Sequence, residues 1–417
     1  NTFVGSLAGD AITSSNYNTA LGSGALGADD LGSFSTAIGR AALANQNYAS
    51  ATNSFNTAVG ANAGEQVTTG TQNTLIGALV GDAITTGEKN TAVGYDALTA
   101  LTAGDRNTAV GKGALTTFNV TDGSNTNNTA VGHDAGNDLT TGTNNTFVGA
   151  EAGSKKTTGS GTLIGASAGL YITTASNVTF VGTEAGKGNS SAPLTGNFNT
   201  SIGDQSGLKL EGAAHSNTFL GTYAGYYNGT DSTTNGISTG TNNTALGFAA
   251  YPSGSTVSNE ITLGNASISS LRCNDTSISS LSDERDKKNI IDIPLGLDFL
   301  KTLRPVAFDW NRRDGTNVGK KDFGFIAQEL KKAQDATSYA DHMRLVQTGS
   351  VFVADAENKN KDKVDEDGKP VLDKSGRMEE SLEADPMKTY PILVKAIQEL
   401  SAKNDALEAR IKKLEDG

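Results

Sequence analysis

Ser282 and Lys287 stand five residues apart in the stretch L-S-D-E-R-D-K-K-N-I, residues 281–290. A serine hydroxyl is a weak nucleophile until a neighbour takes its proton. A lysine can take it only when neutral, so its ordinary pKa of about 10.4 must be lowered by burial or by nearby cations. Arg285 and Lys288 are close in sequence and supply such cations. The same residues have a plainer use. Ser-Asp ahead of a charged, apolar-periodic segment is also a helix N-cap signal, with Ser282 or Asp283 as the cap. Type and spacing alone leave both uses open.

Other chemistry-bearing residues are sparse. His133 and His215 are isolated, with no His-x-His or carboxylate cluster beside them, so neither a metal nor a cofactor is expected. Tyr223, Tyr226 and Tyr227 lie together in T-Y-A-G-Y-Y-N-G-T. Their rings offer a stacking surface for a glycan, or else they are packing residues of a longer loop.

The elements around these residues divide into two compositions. The chain has 417 residues, with 50 Gly, only seven Pro and one Cys, and a formal net charge of −12. That glycine content with so little proline describes a repetitive extended structure better than one conventional core. The acidic balance argues against nucleic acid or an anionic membrane as partner. No run of about 18 apolar residues exists to span a bilayer, and the single Cys273 excludes an intrachain disulfide framework. The chain starts at Asn1-Thr2, already inside a repeat, which reads as a fragment or a processed product.

Up to Gly264 the chain is one motif repeated: NTFVGSLAG, NTALGSGAL, NTAVGYDAL, NTFLGTYAG and eleven others like them. The glycine closing each first half falls at 5, 22, 39, 60, 77, 94, 111, 132, 149, 165, 182, 203, 221, 247 and 264, mostly 17 residues apart. In N-T-φ-φ-G the residue before Gly is always Val, Ile or Leu. This predicts a strand of four or five residues, too short to be stable alone. The glycine permits the positive φ of a tight turn, and x-x-A-G supplies a second short strand or a turn. Each copy buries little by itself and must stack on its neighbours as a solenoid. The Asn column is expected to be a structural ladder or turn residue, and insertions such as 222–244 should loop out at the surface.

At these residues the chain resembles the head repeats of trimeric autotransporter adhesins, and similar repeats occur in bacteriophage tail fibres. The repeat here is longer than the adhesin unit. The resemblance implies three chains about one axis, with the Val/Ile/Leu row buried partly inside its own coil and partly against partners.

After Gly264 the pattern stops, and residues 266–281 read as an extended neck. Beyond it, the chain is expected to form a helix at 295–303, strands at 306–310 and near 321–325, and a helix from about 327. A turn is expected at Asp314-Gly315, and residues 350–385, with a turn signal at Asp367-Gly368, should protrude as a hairpin or loop. Leu393, Ile397, Leu400, Asn404, Leu407, Ile411 and Leu414 make a heptad seam. Its Ile at a and Leu at d, taken alone, lean towards a two-stranded coil.

Four blocks, S-D-E-R-D-K-K-N-I (282–290), L-R-P-V-A-F-D-W (303–310), F-G-F-I-A-Q-E-L (323–330) and Y-P-I-L-V-K-A-I-Q-E-L (390–400), resemble the C-terminal intramolecular chaperone of phage endosialidases, tail spikes and tail fibres. The resemblance implies that three copies bring three chains into register, nucleate folding and then cut themselves off. It assigns Ser282 as nucleophile, Lys287 as base and Leu281–Ser282 as the scissile bond.

The expectation is therefore a mainly β chain. Residues 1–265 form a trimeric β-roll or β-solenoid fibre, 266–281 a neck with the cleavage junction, and 282–417 an α+β chaperone and autopeptidase ending in a helical coiled coil. Its place is a phage tail fibre, made in the host cytoplasm and carried on the virion. Its partners are its own copies, a host receptor (glycan or protein) and other tail proteins. Two alternatives compete: a trimeric surface adhesin, which needs a membrane-anchoring strand segment, and a polysaccharide-degrading tail spike, which needs a non-repetitive domain with paired acids.

Overall fold

The computed structural model describes residues 1–226, 237, 239–265, 267–268, 270–272, 285, 287–311, 319–353, 377–384 and 389–415, with only the backbone of 347–353 and 377–384. They fall into two compact units, Asn1–Asn265 and Ala266–Gly417.

The first unit is a β-solenoid. Fifteen short strands, from Thr2–Val4 to Ile261–Leu263, form one parallel sheet in chain order. Most have three residues rather than the four or five expected. Thr stacks on Thr along the ladder, as in Thr74↔Thr91 and Thr91↔Thr108. The x-x-A-G half is a turn, not a second strand, yet it too bonds from coil to coil. Gly81 N–H donates to Ala97 O at 2.9 Å, Leu98 N–H to Ala114 O at 3.1 Å, and Leu79 N–H back to Ala61 O at 3.0 Å. Leu79, Leu98 and Leu115 hold φ of 54°, 53° and 52° to make this ladder. A left-handed conformation costs a non-glycine residue about 1–2 kcal/mol, so the coil-to-coil bonds must outweigh it.

The interior is narrow, and its filling corrects the sequence reading. The residue after Thr points inward: Ala92, Ala109, Leu75, Phe147, Phe180 and Phe219 are all fully buried. The Val/Ile/Leu before the glycine points outward instead, with Ile76 39 %, Ile164 37 % and Leu220 49 % exposed. Strand side chains alternate faces, and the inward place has room for a large residue only where a neighbour is small. Ala92 and Ala109 accompany the buried Leu98 and Leu115. Phe180, by contrast, accompanies Gly186, where an added Cβ would lie 2.3 Å from the Phe180 ring. A second buried column reads Val67, Ile84, Leu101, Phe118, Leu139 and Ile172, and Lys156 stands in it between Leu139 and Ile172.

Two polar devices keep the coils in step. Asn90 donates its N–H to Asn73 Oδ1 at 3.0 Å, accepts at Oδ1 from Asn107 N–H at 2.9 Å, and donates Nδ2 to Gly104 O at 2.9 Å. Buried asparagines repeat this pattern along the unit. Each satisfies backbone groups that burial would otherwise leave unpaired. The strand-closing glycines are the other device. At Gly60, φ is +141° and a Cβ would sit 2.2 Å from Gly77 O, so conformation and space both demand glycine.

The second unit is α+β. Among its described residues, four helices, α1 (Leu297–Leu300), α2 (Ala327–Asp335), α3 (Ala340–Met343) and α4 (Tyr390–Glu415), accompany two antiparallel strand pairs. The first pairs Val306–Asp309 with Lys321–Gly324, and the second pairs Val346–Val353 with Arg377–Ala384. The helix expected at 295–303 is limited to one turn: Gly296 before it is non-helical (φ −139°, ψ −136°), and after Leu300 the chain passes into tighter i→i+3 turns, with Thr302 N–H donating to Phe299 O and Leu303 N–H to Leu300 O. The turn signals at Asp314-Gly315 and Asp367-Gly368 lie outside the described residues.

A small core of Phe299, Leu330, Met343, Leu345, Val346 and Ile392 joins these helices. The buried Gln334 ties α2 to the second strand pair, its Oε1 accepting from Leu345 N–H at 2.6 Å. Glu399 of α4 accepts from Leu297 N–H at 2.9 Å at the start of α1. Outside this core α4 is open: Leu393, Ile397, Leu400, Leu407, Ile411 and Leu414 are all exposed. Among the described residues no helix is long and apolar enough to cross a membrane.

Candidate functional site

Ser282, Leu281 and the neck around Cys273 lie outside the described residues, so no nucleophile-to-base geometry enters the description. Lys287 is described. It sits, exposed, in the extended segment 287–296 that runs into α1, with Lys288 exposed beside it. A general base needs a lysine shielded from water. The described residues leave Lys287 exposed, so the segment as described supplies no such shielding.

What the second unit holds firmly is the scaffold behind this segment. Lys287–Leu295 leads to the buried Phe299. Arg304, just after α1, clamps Glu329 of α2 through Nε–H donating to Oε2 at 3.0 Å and Nη2–H donating to Oε1 at 2.5 Å. Each partner holds the other charged: the Glu329 carboxyl is pulled below the usual carboxylate range and the Arg304 guanidinium pushed higher. Both are exposed, so the pair positions α2 more than it stabilises it.

The tyrosine patch of the repeat unit is partly a packing cluster. Tyr223 and Tyr226 are half-buried and meet at 6.3 Å between ring centroids, and Phe248 of the next coil stands edge-on to Tyr223 at 6.0 Å. Lys209 Nζ lies 5.8 Å from the Tyr226 ring centre. Burial raises the Tyr226 hydroxyl's pKa. Tyr227 lies outside the described residues. His133 sits 3.2 Å from Asp134, and the described residues include no group of three or more His, Cys, Asp or Glu placed to hold a metal.

Lys156 is the residue that reading the sequence missed. Its side chain is fully buried and its ammonium donates to Ala175 O. Burial lowers its pKa to about 8. The signal was present: at the 17-residue spacing it falls in the column of Leu101, Phe118 and Leu139, where every neighbour is apolar.

Comparison with known proteins bears on the second unit. No curated protein and no solved structure matches the chain at a significant level. Residues 282–342 match the family described as the chaperone of endosialidase, a peptidase family. The match begins at Ser282 and takes in Lys287, α1, the first strand pair and α2, while α4 lies beyond it. A parallel β-solenoid is thus followed in one chain by an endosialidase-type chaperone segment of the kind that implies self-cleavage.

Proposed function

We propose that this chain is part of a bacteriophage tail fibre or tail spike, in which the repeat unit is the fibre and residues 282–417 are a self-removing assembly chaperone. The observation that carries the reading is the chaperone match starting at Ser282, in the same chain as a solenoid of fifteen strands. Three chains assemble as a homotrimer, and the chaperone then cuts the Leu281–Ser282 bond at the end of the neck, 266–281. Ser282 is the nucleophile and Lys287 its base. The repeat unit serves as a rigid shaft or contacts a host receptor, and other tail proteins hold the fibre on the virion.

The exposure of Lys287 in the single chain gives the cut its timing. A lysine that serves as a general base needs shielding from water. If partner chains cover it in the trimer, the base forms only after assembly, and cleavage reports that assembly is complete. The match to a peptidase family favours this use of Ser282 over the helix cap.

The test is the mass and N-terminus of the purified product. Wild type should yield two fragments divided between Leu281 and Ser282, and Ser282→Ala a single species near 42.8 kDa that is still trimeric. A fragment ending at Leu281 from the Ser282→Ala chain would remove the dyad assignment.

A further inference from the structure

The solenoid turns the Val/Ile/Leu row of its strands away from its own core. Each strand presents two outward side chains, and these make two columns along the ladder. One is threonine at fourteen of fifteen levels, from Thr2 to Thr244, and the other is Val, Ile or Leu at all fifteen, from Val4 to Leu263. None of the thirty is charged, in a chain with 33 Lys and Arg and 45 Asp and Glu. Columns on other faces do carry charge, for example Lys89 and Arg106, or Arg40 and Lys112. The aliphatic column alone amounts to on the order of 1,000 Å² of continuous apolar surface, more than monomers expose in one patch and comparable to one side of a stable interface.

We infer that this threonine–aliphatic face is the surface on which the chains of the assembly pack, each ladder lying against the ladders of its other copies. The inference rests on the homotrimer reading above and adds the face that makes it. A second copy is the occupant because the face is periodic at the strand spacing of about 4.8 Å. A partner that fills it from end to end needs the same rise and the same interruptions at the same levels. Rotation about an axis parallel to the ladder supplies both, since it puts each level of one chain beside the same level of the others. An uncharged face also has no repulsion to overcome when like meets like.

The test uses the full chain in two forms. In the first, Ile76→Asp with Ile164→Asp places carboxylates on the face, and Thr86→Asp with Thr141→Asp adds the same charge on exposed residues elsewhere. Sedimentation should show wild type and the threonine variant as trimers, and the isoleucine variant dissociated, with affinity down at least about a hundredfold. Circular dichroism checks that its strands persist.

In the second form, a short thiol cross-linker is applied to Ile164→Cys and to Thr86→Cys, each in a Cys273→Ser background. Interchain products should appear from the first and not the second, which decides the matter even if the aspartate variant fails to fold. A wild-type trimer that tolerates the aspartates and gives no Ile164→Cys cross-link overturns the face assignment alone. A monomeric wild type removes the trimer reading, and this inference with it.

Discussion

Lys156→Met should stabilise the repeat unit, and by an amount that depends on pH. The lysine is fully buried between Leu139 and Ile172 of its column, and burial lowers its pKa from 10.5 to about 8. That shift corresponds to roughly 3 kcal/mol of penalty for keeping the buried ammonium charged. Methionine has similar length and carries no charge. Its cost is that Ala175 O loses the ammonium as donor, worth about 1–2 kcal/mol for a buried carbonyl. At pH 7 the net gain should therefore be about 1–2 kcal/mol.

The pH dependence is the sharper measurement. The folded pKa lies below the unfolded one, so the folded state releases the proton first as pH rises. Below about pH 8 both states are charged and the full penalty applies. Between about 8 and 10.5 wild type recovers stability with a slope of up to about 1.4 kcal/mol per pH unit. Urea midpoints of wild type and Lys156→Met, taken at one chain concentration from pH 7 to 10.5, should converge and then cross. Parallel curves across that range would mean Lys156 is not held as a buried cation, and the core assignment of its column would fail at that coil.

Gly60→Ala should cost more than about 3 kcal/mol or leave the chain insoluble. A Cβ there sits 2.2 Å from the Gly77 carbonyl oxygen, at a φ that alanine avoids, and unfolding midpoints with soluble yield would measure it. Lys287→Arg should block cleavage as completely as Ser282→Ala, because a guanidinium keeps its proton. Lys288→Ala should still cleave, and a denaturing gel after incubation separates the cases.

The repeat was legible because its period is written in the glycines, and the parallel ladder follows from stacking such short strands. Which side faced inward was not. The Val/Ile/Leu row is the more apolar one, which suggests burial, but a coil closed in 17 residues leaves little room inside. The telling signal was compensation. Phe180 occurs with Gly186 and Ala92 with Leu98, a trade in volume that only side chains sharing one interior need make. The outward row shows no such trade. Helix α4 was readable from its heptads, whereas α1 came out shorter, starting only after the non-helical Gly296 and giving way to i→i+3 turns after Leu300. The Ser282–Lys287 pair carried little meaning by spacing alone and gained it from the blocks downstream, three of which fall in the family match.

A periodic face cannot set its own register, and this bears on why such a fibre would carry a removable domain. If two ladders slip by one coil, fourteen of the fifteen levels still find an aliphatic partner. The loss is about one buried Val or Ile, roughly 2 kcal/mol, beside the clashes of the longer copies at 39–60, 111–132, 182–203 and 221–247. Those irregular copies penalise a slip only after the chains have zipped past them. A non-repetitive unit at one end fixes the register at the start, when correction is cheap. Once the ladder is closed, all levels hold it together and the register-setter contributes little.

Chains lacking 282–417 from synthesis should therefore give insoluble or non-trimeric repeats, with mixed offsets in whatever soluble fraction forms. Trimers from which the segment is removed after assembly should keep their mass and melting behaviour. Equal yields of correct trimer from both routes, by sedimentation and cross-linking, would show that the repeats find their register unaided.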